Sequence, residues 1–319
     1  MTSQRCRAIF AFAATKRFLV VGDLMLDEFV WGKVSRISPE APVPVVQVTE
    51  ESKWFPGGAA NVARNLREFS ENVSMAGVVG ADAAGERLVG LLKAMGIDVA
   101  HVHQEAGAQT IVKTRIIARH QQVVRVDREG SRPAAPTLAV STADAIDAIV
   151  VADYAKGALT QPVANALGEL ASKNGAILAI DPSPKNPIQW RNATVIKPNR
   201  EEAYKALSAE ESTPLEDVGK ELLKRWSTEL VLITLGEDGM KLFQRGKTSH
   251  DTPTRAREVF DVSGAGDTAI AAMTAALAGG STPVEAAEIA NAASGIVVGK
   301  LGTAAVTLDE LAGSFEGSH

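Results

Sequence analysis

The sequence predicts a three-layer α/β fold, with a mostly parallel central sheet between two layers of helices and a small β-sheet that forms a lid. The first observation is that short apolar runs alternate with helical segments along most of the 319 residues. This repeat is typical of a parallel sheet with helices on both faces. The second is that segments 29–55 and 109–127 break the repeat. One segment is rich in proline. The other alternates between apolar and polar residues, which predicts a half-exposed antiparallel hairpin, and we interpret both segments as lid strands.

The composition indicates a globular protein with a substantial core. Hydrophobic residues make up 45% and charged residues 22% of the chain, which is too apolar for disorder. The net charge of −5, without a dense basic stripe, disfavours nucleic acid as a partner. The single cysteine, Cys6, excludes an internal disulfide and a multi-cysteine metal site. No apolar run approaches the roughly 18–20 residues of a membrane helix, so we expect a cytoplasmic protein without a membrane partner.

The first predicted elements lie in the N-terminal half. Apolar residues 8–14 follow two arginines, as in a signal peptide, but a basic pair follows at 16–17 and favours a short packing helix. Residues 18–23 end in Gly-Asp, which predicts a central strand that brings Asp23 and Asp27 to the sheet edge. Asp82 is placed to cap a helix. A helix over 57–70 and strands over 73–79 and 97–102 complete this half.

The second half continues the alternation beyond the predicted hairpin at 109–127. Strands are predicted over 148–152, 177–181, 194–196 and 230–234, with a helix over 161–173. Several predicted strands end at polar residues, namely Asp23, Asp153, Asp181 and Asn199. Because ligands of open α/β sheets bind at the carboxyl ends of the strands, these residues predict a ligand site.

The strongest chemical signal is the run Asp-Val-Ser-Gly-Ala-Gly-Asp at residues 261–267. Gly264, Ala265 and Gly266 open an apolar helix, and backbone N–H groups at a helix N-terminus bind anions. Asp267 in such a cradle suits a base that takes a proton from an attacking hydroxyl. The alternative is that Asp267 only caps its helix. The sequence has neither the glycine fingerprint of dinucleotide-binding proteins after its first strand nor a P-loop.

These residues resemble the C-terminal signature of the ribokinase-like, or phosphofructokinase B-type, carbohydrate kinases. Three further segments are similar to family elements: 57–61 to the sugar site, 198–202 to the Asn-x-x-Glu element, and 234–239 to a nucleotide loop. The order and spacing agree along nearly the whole chain. The resemblance implies one kinase domain over residues 1–319, with the ribokinase-like fold and ATP as the phosphoryl donor to an alcohol.

Finer features resemble the D-glycero-β-D-manno-heptose-7-phosphate kinases. They lie in segments 22–27, 35–45, 119–127, 153–157 and 299–303. This resemblance implies phosphorylation of the anomeric hydroxyl, which gives the 1,7-bisphosphate for ADP-heptose and lipopolysaccharide core synthesis. That family often carries a fused nucleotidyltransferase domain, and this chain resembles the kinase half alone.

The resemblance also implies roles for individual residues. Asp267 is the base, and Gly264, Ala265 and Gly266 form the anion hole. Asn199 and Glu202 organise Mg²⁺ through water, while a monovalent cation requirement is left open. The sugar phosphate is assigned to Asp27, Arg36, Gly57, Gly58, Asn61, Lys113, Arg125, Asp153 and Lys156. The nucleotide is assigned to Asn199, Glu202, Thr234, Gly236, Gly239 and Asn291.

Each assignment has a plainer alternative. Asn199 can cap the helix that follows Pro198, and the paired glycines can serve a tight turn. The assigned lysines and arginines can be solvated surface charges. At position 183 the heptose kinases usually show lysine, but this chain has Ser183 with Lys185 two residues on. Either Lys185 substitutes, or the phosphate end of the substrate differs.

Three other functions compete with a heptose phosphate kinase. They are another sugar kinase of the same superfamily, a non-catalytic ligand-binding relative, and an oxidoreductase, which the missing dinucleotide fingerprint disfavours. We also expect a homodimer, because a lid sheet with one apolar face, including Trp31 and Val46, would bury that face against a second lid.

Overall fold

The computed structural model describes residues 1–118, 121–130, 145–254, 261–300 and 304–316. Residues 119–120 and 301–303, which belong to two of the heptose-kinase segments, lie outside the described residues. The strands are β1 (Phe18–Gly22), β2 (Leu24–Ile37), β3 (Pro44–Val48), β4 (Lys53–Gly58), β5 (Val73–Gly80), β6 (Asp98–Glu105), β7 (Ile111–Ala118), β8 (Gln121–Arg128), β9 (Ala148–Ala152), β10 (Ile177–Asp181), β11 (Val195–Ile196), β12 (Leu230–Thr234), β13 (Met240–Gln244) and β14 (His250–Thr252). The helices are α1 (Ser3–Ala13), α2 (Ala59–Arg67), α3 (Ala83–Ala94), α4 (Gln161–Asn174), α5 (Arg200–Leu207), α6 (Leu215–Arg225), α7 (Ala265–Ala278), α8 (Pro283–Val297) and α9 (Leu308–Gly313).

The central sheet has the strand order β14-β13-β12-β11-β10-β9-β1-β5-β6. From β12 to β6 the pairs are parallel, and β13 and β14 add an antiparallel edge. Strand β1 lies inside the sheet, where Phe18 is in register with Val73 on one side and Ala148 on the other. The predicted mostly parallel sheet is confirmed.

Helices cover both faces of this sheet. Side chains of β1 alternate between two cores: Phe18 and Val20 pack with α1, α2, α3, α7, α8 and α9, whereas Leu19 and Val21 pack with α4, α5 and α6. Because both faces are buried, the strand is a continuous apolar run, as the sequence indicated. The predicted three layers are confirmed.

The N-terminal segment forms a helix that packs against the domain. Cys6, Ile9 and Phe10 of α1 are buried, and the Phe10 ring stacks on Phe69 with 4.4 Å between centroids. The sequence favoured a short packing helix in this segment, and a packed helix is what the structure shows. Among the described helices, none is long and apolar enough to span a membrane.

A second, smaller sheet, which we call the lid sheet, has the order β3-β2-β7-β8, with β4 also paired to β2. Strands β2 and β7 pair in parallel, from Met25–Ile111 to Gly32–Ala118. The predicted joining of the two lid segments is therefore seen. The half-exposed alternation predicted for β7 is wrong, because Thr114 and Arg115 are both buried. Strand β7 lies between β2 and β8, and the side chains of Thr114 and Arg115 bond to Glu28 and Asp27 of β2.

Candidate active site

A cavity of about 330 Å³, the central cavity, lies beside the N-terminus of α7, at the carboxyl ends of β10 and β12 and under the lid sheet. The sequence assigned many of its lining residues, and these are Asp27, Gly58, Lys113, Asn199, Glu202, Thr234, Gly264, Gly266 and Asp267. The other lining residues had no individual role from the sequence, although Asp181 was expected at the ligand-binding edge of the sheet. They are Met25, Arg115, Tyr154, Asp181, Lys197 and Ser263.

Asp267 lies in the first turn of α7 with both carboxylate oxygens engaged. Asn61 Nδ2 donates to Oδ2 at 2.8 Å, and the Tyr154 hydroxyl donates to Oδ1. Both of these donors belong to residues outside α7, so the carboxylate is directed away from its own helix. Burial raises the pKa of Asp267, and the two hydrogen bonds oppose that shift. Asp267 is therefore a buried, oriented carboxylate suited to accept a proton.

Gly264 allows α7 to begin beside this carboxylate. Its φ of +81° lies in the left-handed region, and a Cβ at this position would stand 2.7 Å from Asn61 Nδ2. The N–H groups of Gly266 and Asp267 have no intrahelical acceptor, because the first four donors of any helix lack one. Together with the helix dipole, these donors can hold an anion at the mouth of the cavity.

A buried ion pair lies next to that helix end. Lys197 Nζ is 3.0 Å from Asp181 Oδ1, and the Lys197 side chain is only 3% exposed. A Cβ on Gly266 would lie 3.4 Å from Lys197 Nζ, so this glycine keeps the backbone close to the ammonium group. Burial raises the pKa of Asp181 to about 6, although Lys197 lowers it in part. The sequence analysis missed Lys197. Its position after β11, two residues before Asn199, could have identified it as a site residue.

Asn199 and Glu202 form a capping box at the start of α5. Asn199 Oδ1 accepts from Glu202 N at 2.9 Å, and Glu202 Oε2 accepts from Asn199 N at 2.8 Å. Both residues also line the central cavity. The helix cap that the sequence left open is thus present, and it holds the two side chains at the cavity wall. Burial is the main cause of a raised pKa at Glu202, and the charge of Asp181 adds to it.

A second cavity, of about 480 Å³, lies on the other side of the α7 N-terminus. It contains the four remaining residues that the sequence assigned to the nucleotide side, Thr234, Gly236, Gly239 and Asn291. Thr234 and Gly266 line both cavities. The Asn291 amide donates to Pro253 O at 2.7 Å, which ties α8 to the loop after β14.

Asp27 enters the central cavity from the lid sheet in a buried ion pair. The guanidinium of Arg115 on β7 bonds to Asp27 Oδ1. A Cβ on Gly57 would come within 2.5 Å of Asp27 Oδ2, so glycine leaves room for this carboxylate. The half-buried ammonium group of Lys113 has no hydrogen-bond or ion-pair partner among the described residues.

Six assigned residues do not line either cavity. Two of them adjoin residues that do: Gly57 lies next to Asp27, and Asn61 donates to Asp267. Arg36 lies on the exposed end of β2, and Arg125 bonds to Asp127 at 2.8 and 3.0 Å. Lys156 donates to Glu129 at 2.6 Å. Asp153 accepts from Ala155 N and Asn186 Nδ2 at 2.8 and 3.0 Å. These contacts hold loops and lid strands.

Ser183, which stands where the heptose kinases usually have lysine, lies at a separate outer groove of about 880 Å³. Ser183 lines this groove but not the central cavity, and Glu202 lies between the two. Lys185 is exposed and lines neither the groove nor the central cavity. In the described residues, the cations of the central cavity are Lys113, Arg115 and Lys197.

Comparison with known proteins adds a family to this geometry. A family model described as pfkB family carbohydrate kinase matches residues 15–310. The chain is 40% identical over 329 residues to Bifunctional protein HldE of Trichlorobacter lovleyi, and the match covers 100% of this chain and 67% of that protein. It is 41% identical over 328 residues to the protein of the same name from Geobacter sulfurreducens, with the same coverage. The chain thus spans about two thirds of the length of these relatives.

Solved structures share the fold at lower identity. A putative ribokinase from Agrobacterium tumefaciens superposes with a TM-score of 0.77 at 21% identity, covering 94% of this chain and 97% of that one. Ribokinase of Arabidopsis thaliana, complexed with ribose and ATP, superposes with a TM-score of 0.73 at 18% identity, covering 95% and 99%. The predicted three-layer fold with a separate small sheet is therefore that of the ribokinases.

Proposed function

This chain belongs to the pfkB family of carbohydrate kinases, and we propose that it transfers the γ-phosphoryl group of ATP to the anomeric hydroxyl of D-glycero-β-D-manno-heptose 7-phosphate. The observation that carries the proposal is the place of Asp267, a buried carboxylate in the first turn of α7 that lines the central cavity next to Gly266, which lines both cavities. The similarity to proteins named HldE along the whole chain supports the choice of sugar.

In the proposed reaction, sugar and nucleotide meet at the α7 N-terminus. The sugar occupies the central cavity, and the nucleotide occupies the second cavity with its phosphates reaching Gly266. The anomeric oxygen forms a bond to the γ-phosphorus while the bond from that phosphorus to the bridging oxygen of ADP breaks. Asp267 takes the hydroxyl proton, and the N–H groups of α7 together with Lys197 stabilise the charge on the transferred group.

The proposed reaction also uses Mg²⁺, and the donors proposed for it lie at the central cavity. No group of three or more His, Cys, Asp or Glu is arranged as a metal site in the part of the chain that the structure describes. Two carboxylates, Asp181 and Glu202, nevertheless line the central cavity with Asn199. This donor set fits Mg²⁺, which keeps several waters and binds through one or two carboxylates and substrate phosphates. When bound, the ion neutralises charge on the phosphates.

The phosphate of the substrate is proposed to bind Lys113. This ammonium group faces the central cavity without a partner among the described residues, whereas Arg115 is paired with Asp27. A half-buried cation without a counter-ion favours an anionic ligand. Asp27, which lines the central cavity, is proposed to bond a sugar hydroxyl through Oδ2. Asn61, which the sequence also assigned to the sugar, is proposed to act through its bond to Asp267. Neither contact distinguishes heptose 7-phosphate from other sugar phosphates.

The lid sheet is proposed to bury its exposed apolar side chains in a homodimer. The exposed residues include Ile37, Val48 and Val124, at 61%, 56% and 46%. Trp31 and Val46, which the sequence assigned to the apolar face, are partly exposed, and Trp31 stacks on Phe29 with 5.7 Å between ring centroids. Light scattering of the wild type and of Val48→Lys tests the proposal: a dimer that the substitution dissociates is expected, and a monomeric wild type contradicts it.

The substrate is tested by ATP consumption with D-glycero-β-D-manno-heptose 7-phosphate, the unphosphorylated heptose and a panel of other sugar phosphates. We expect the heptose 7-phosphate to give the highest kcat/KM. Lys113→Met should raise KM for the phosphorylated sugar without changing KM for ATP. Preferred turnover of another sugar phosphate would keep the assignment as a sugar kinase but reject heptose 7-phosphate as the substrate. This is the main competing outcome, because Ser183 stands where the heptose kinases usually have lysine.

A further inference from the structure

The mechanism above leaves unused the tyrosine that touches the proposed base. We infer that Tyr154 is a positioning residue for Asp267, whose hydroxyl fixes the orientation of the carboxylate relative to the acceptor hydroxyl. The inference rests on the proposed role of Asp267. Its geometric basis is the hydrogen bond from the Tyr154 hydroxyl to Asp267 Oδ1, at the wall of the central cavity.

The backbone around Tyr154 is held by a buried carboxylate. Asp23, which follows β1 and is fully buried, accepts from the backbone N–H groups of Tyr154, Lys156 and Ala158 at 2.9, 3.0 and 3.0 Å. A single side chain on the neighbouring strand therefore fixes both sides of the tyrosine. Hydrogen bonds to a charged acceptor are the stronger kind, so this loop is well anchored.

A second carboxylate braces the same loop. Asp153 Oδ1 accepts from Ala155 N at 2.8 Å, and Asp153 Oδ2 accepts from Asn186 Nδ2 at 3.0 Å. Ala155 has a φ of +54°, an unfavourable conformation for a residue with a Cβ that surrounding contacts must maintain. The loop 153–158 thus has one imposed shape, and this shape brings the Tyr154 hydroxyl to the base.

Two donors hold the Asp267 carboxylate at different oxygens. Asn61 bonds to Oδ2 and Tyr154 to Oδ1. An ionised carboxylate has about four acceptor positions, so these two bonds fix its plane and leave room for the acceptor hydroxyl. Tyr154 cannot serve as the base itself. Burial and the charge of Asp267 raise its pKa well above 10, which keeps the hydroxyl a neutral donor.

Removal of the Tyr154 hydroxyl has a consequence for the pH dependence. Its hydrogen bond lowers the pKa of Asp267 against the effect of burial, so its loss raises that pKa. Because the base acts only when deprotonated, the acid limb of kcat/KM then moves to higher pH. The other charged groups around this pair remain in the variant, and they are Asp27 from β2, Asp181 from β10 and Lys197 after β11.

The kinetic test compares Tyr154→Phe with Tyr204→Phe. The chain has two tyrosines, and Tyr204 donates to Thr213 O at 2.7 Å, outside both cavities, which makes it a matched control. We expect Tyr154→Phe to lower kcat roughly tenfold to a hundredfold, as for a lost bond to a charged group. KM for ATP should stay constant and the acid limb should move to higher pH. An unchanged pH profile, or the same effects in Tyr204→Phe, would overturn the inference.

A second test does not depend on turnover. In a Tyr204→Phe background, tyrosine labelled with ¹³C at Cζ gives one resonance, which reports the hydroxyl of Tyr154. Asp267→Asn should shift this resonance, whereas Asp238→Asn, an exposed carboxylate bonded to Arg200, should not. An unshifted resonance in Asp267→Asn rejects the contact. A shift together with activity that does not depend on Asp267 keeps the contact and rejects the proposed function.

Discussion

Gly264→Ala tests how the start of α7 supports the base. Gly264 has a φ of +81°, and a Cβ there would lie 2.7 Å from Asn61 Nδ2. The left-handed conformation alone costs an alanine about 1–2 kcal/mol. The contact with Asn61 adds to this cost, because the Asn61 side chain is buried and can move only by leaving its bond to Asp267.

The backbone strain and the contact with Asn61 act on different quantities: the strain lowers the free energy of unfolding, whereas the contact with Asn61 lowers kcat. For an ordinary contact the amide of Asn61 must retreat by several tenths of an ångström, which disturbs one of the two bonds that hold the Asp267 carboxylate. Misplacement of a reacting group by up to 1 Å costs as much as 100-fold in rate. We therefore expect Gly264→Ala to lose roughly 10–100-fold in kcat and about 1–3 kcal/mol in the free energy of unfolding.

Gly280→Ala is the matched control for backbone strain. Gly280 has a φ of +79°, and a Cβ there would meet nothing within 4 Å. Urea denaturation should show a loss of about 1–2 kcal/mol in this variant, while ATP turnover with heptose 7-phosphate should remain at the wild-type rate. Wild-type kcat in Gly264→Ala, or an equal loss of kcat in Gly280→Ala, would refute the reasoning.

One pH profile and two substitutions test other parts of the site. The value of kcat/KM should fall with decreasing pH, and the midpoint of this fall should lie above the ordinary pKa of an aspartate. The reason is that burial raises the pKa of Asp267 and only its deprotonated form is a base. A midpoint at about pH 4 would contradict this prediction. Arg115→Met should cost about 3–5 kcal/mol in unfolding free energy, since it leaves Asp27 buried without its partner; a loss in urea denaturation below about 1 kcal/mol argues against a buried pair. Glu202→Gln should raise the Mg²⁺ concentration needed for half-maximal activity, and an unchanged Mg²⁺ titration would remove Glu202 from the metal site.

Much of the fold could be predicted because its signals are local. The strand over residues 18–23 is apolar along its length since both faces are buried, and Asp82 precedes its helix as a cap and bonds to Gly85 N at 2.8 Å. Strand β7 was interpreted wrongly because its burial depends on its neighbours in the lid sheet. Alternation in the sequence does not reveal that Arg115 finds a buried partner on β2.

The candidate site shows the same division. Asp267 and the glycines before it could be identified because a helix N-terminus is a local feature. Asp181 was expected at the ligand-binding edge because it ends a predicted strand, and it lines the central cavity. Lys197 and Tyr154 reach that cavity only through the order of β9, β10 and β11 in the sheet, which sequence periodicity does not fix. The direction of the Tyr154 side chain could not be predicted either, because it depends on hydrogen bonds between its loop and Asp23, which follows a different strand.

The central claim is that Asp267 is the base of a phosphoryl transfer at the α7 N-terminus. Its most direct test is the single-turnover rate of Asp267→Asn with ATP and heptose 7-phosphate, measured beside the affinity for ATP. We predict a fall of roughly 10²–10⁴-fold in rate with ATP affinity retained, because the proposed nucleotide site is the second cavity, which Asp267 does not line. A variant that turns over at the wild-type rate would contradict the account.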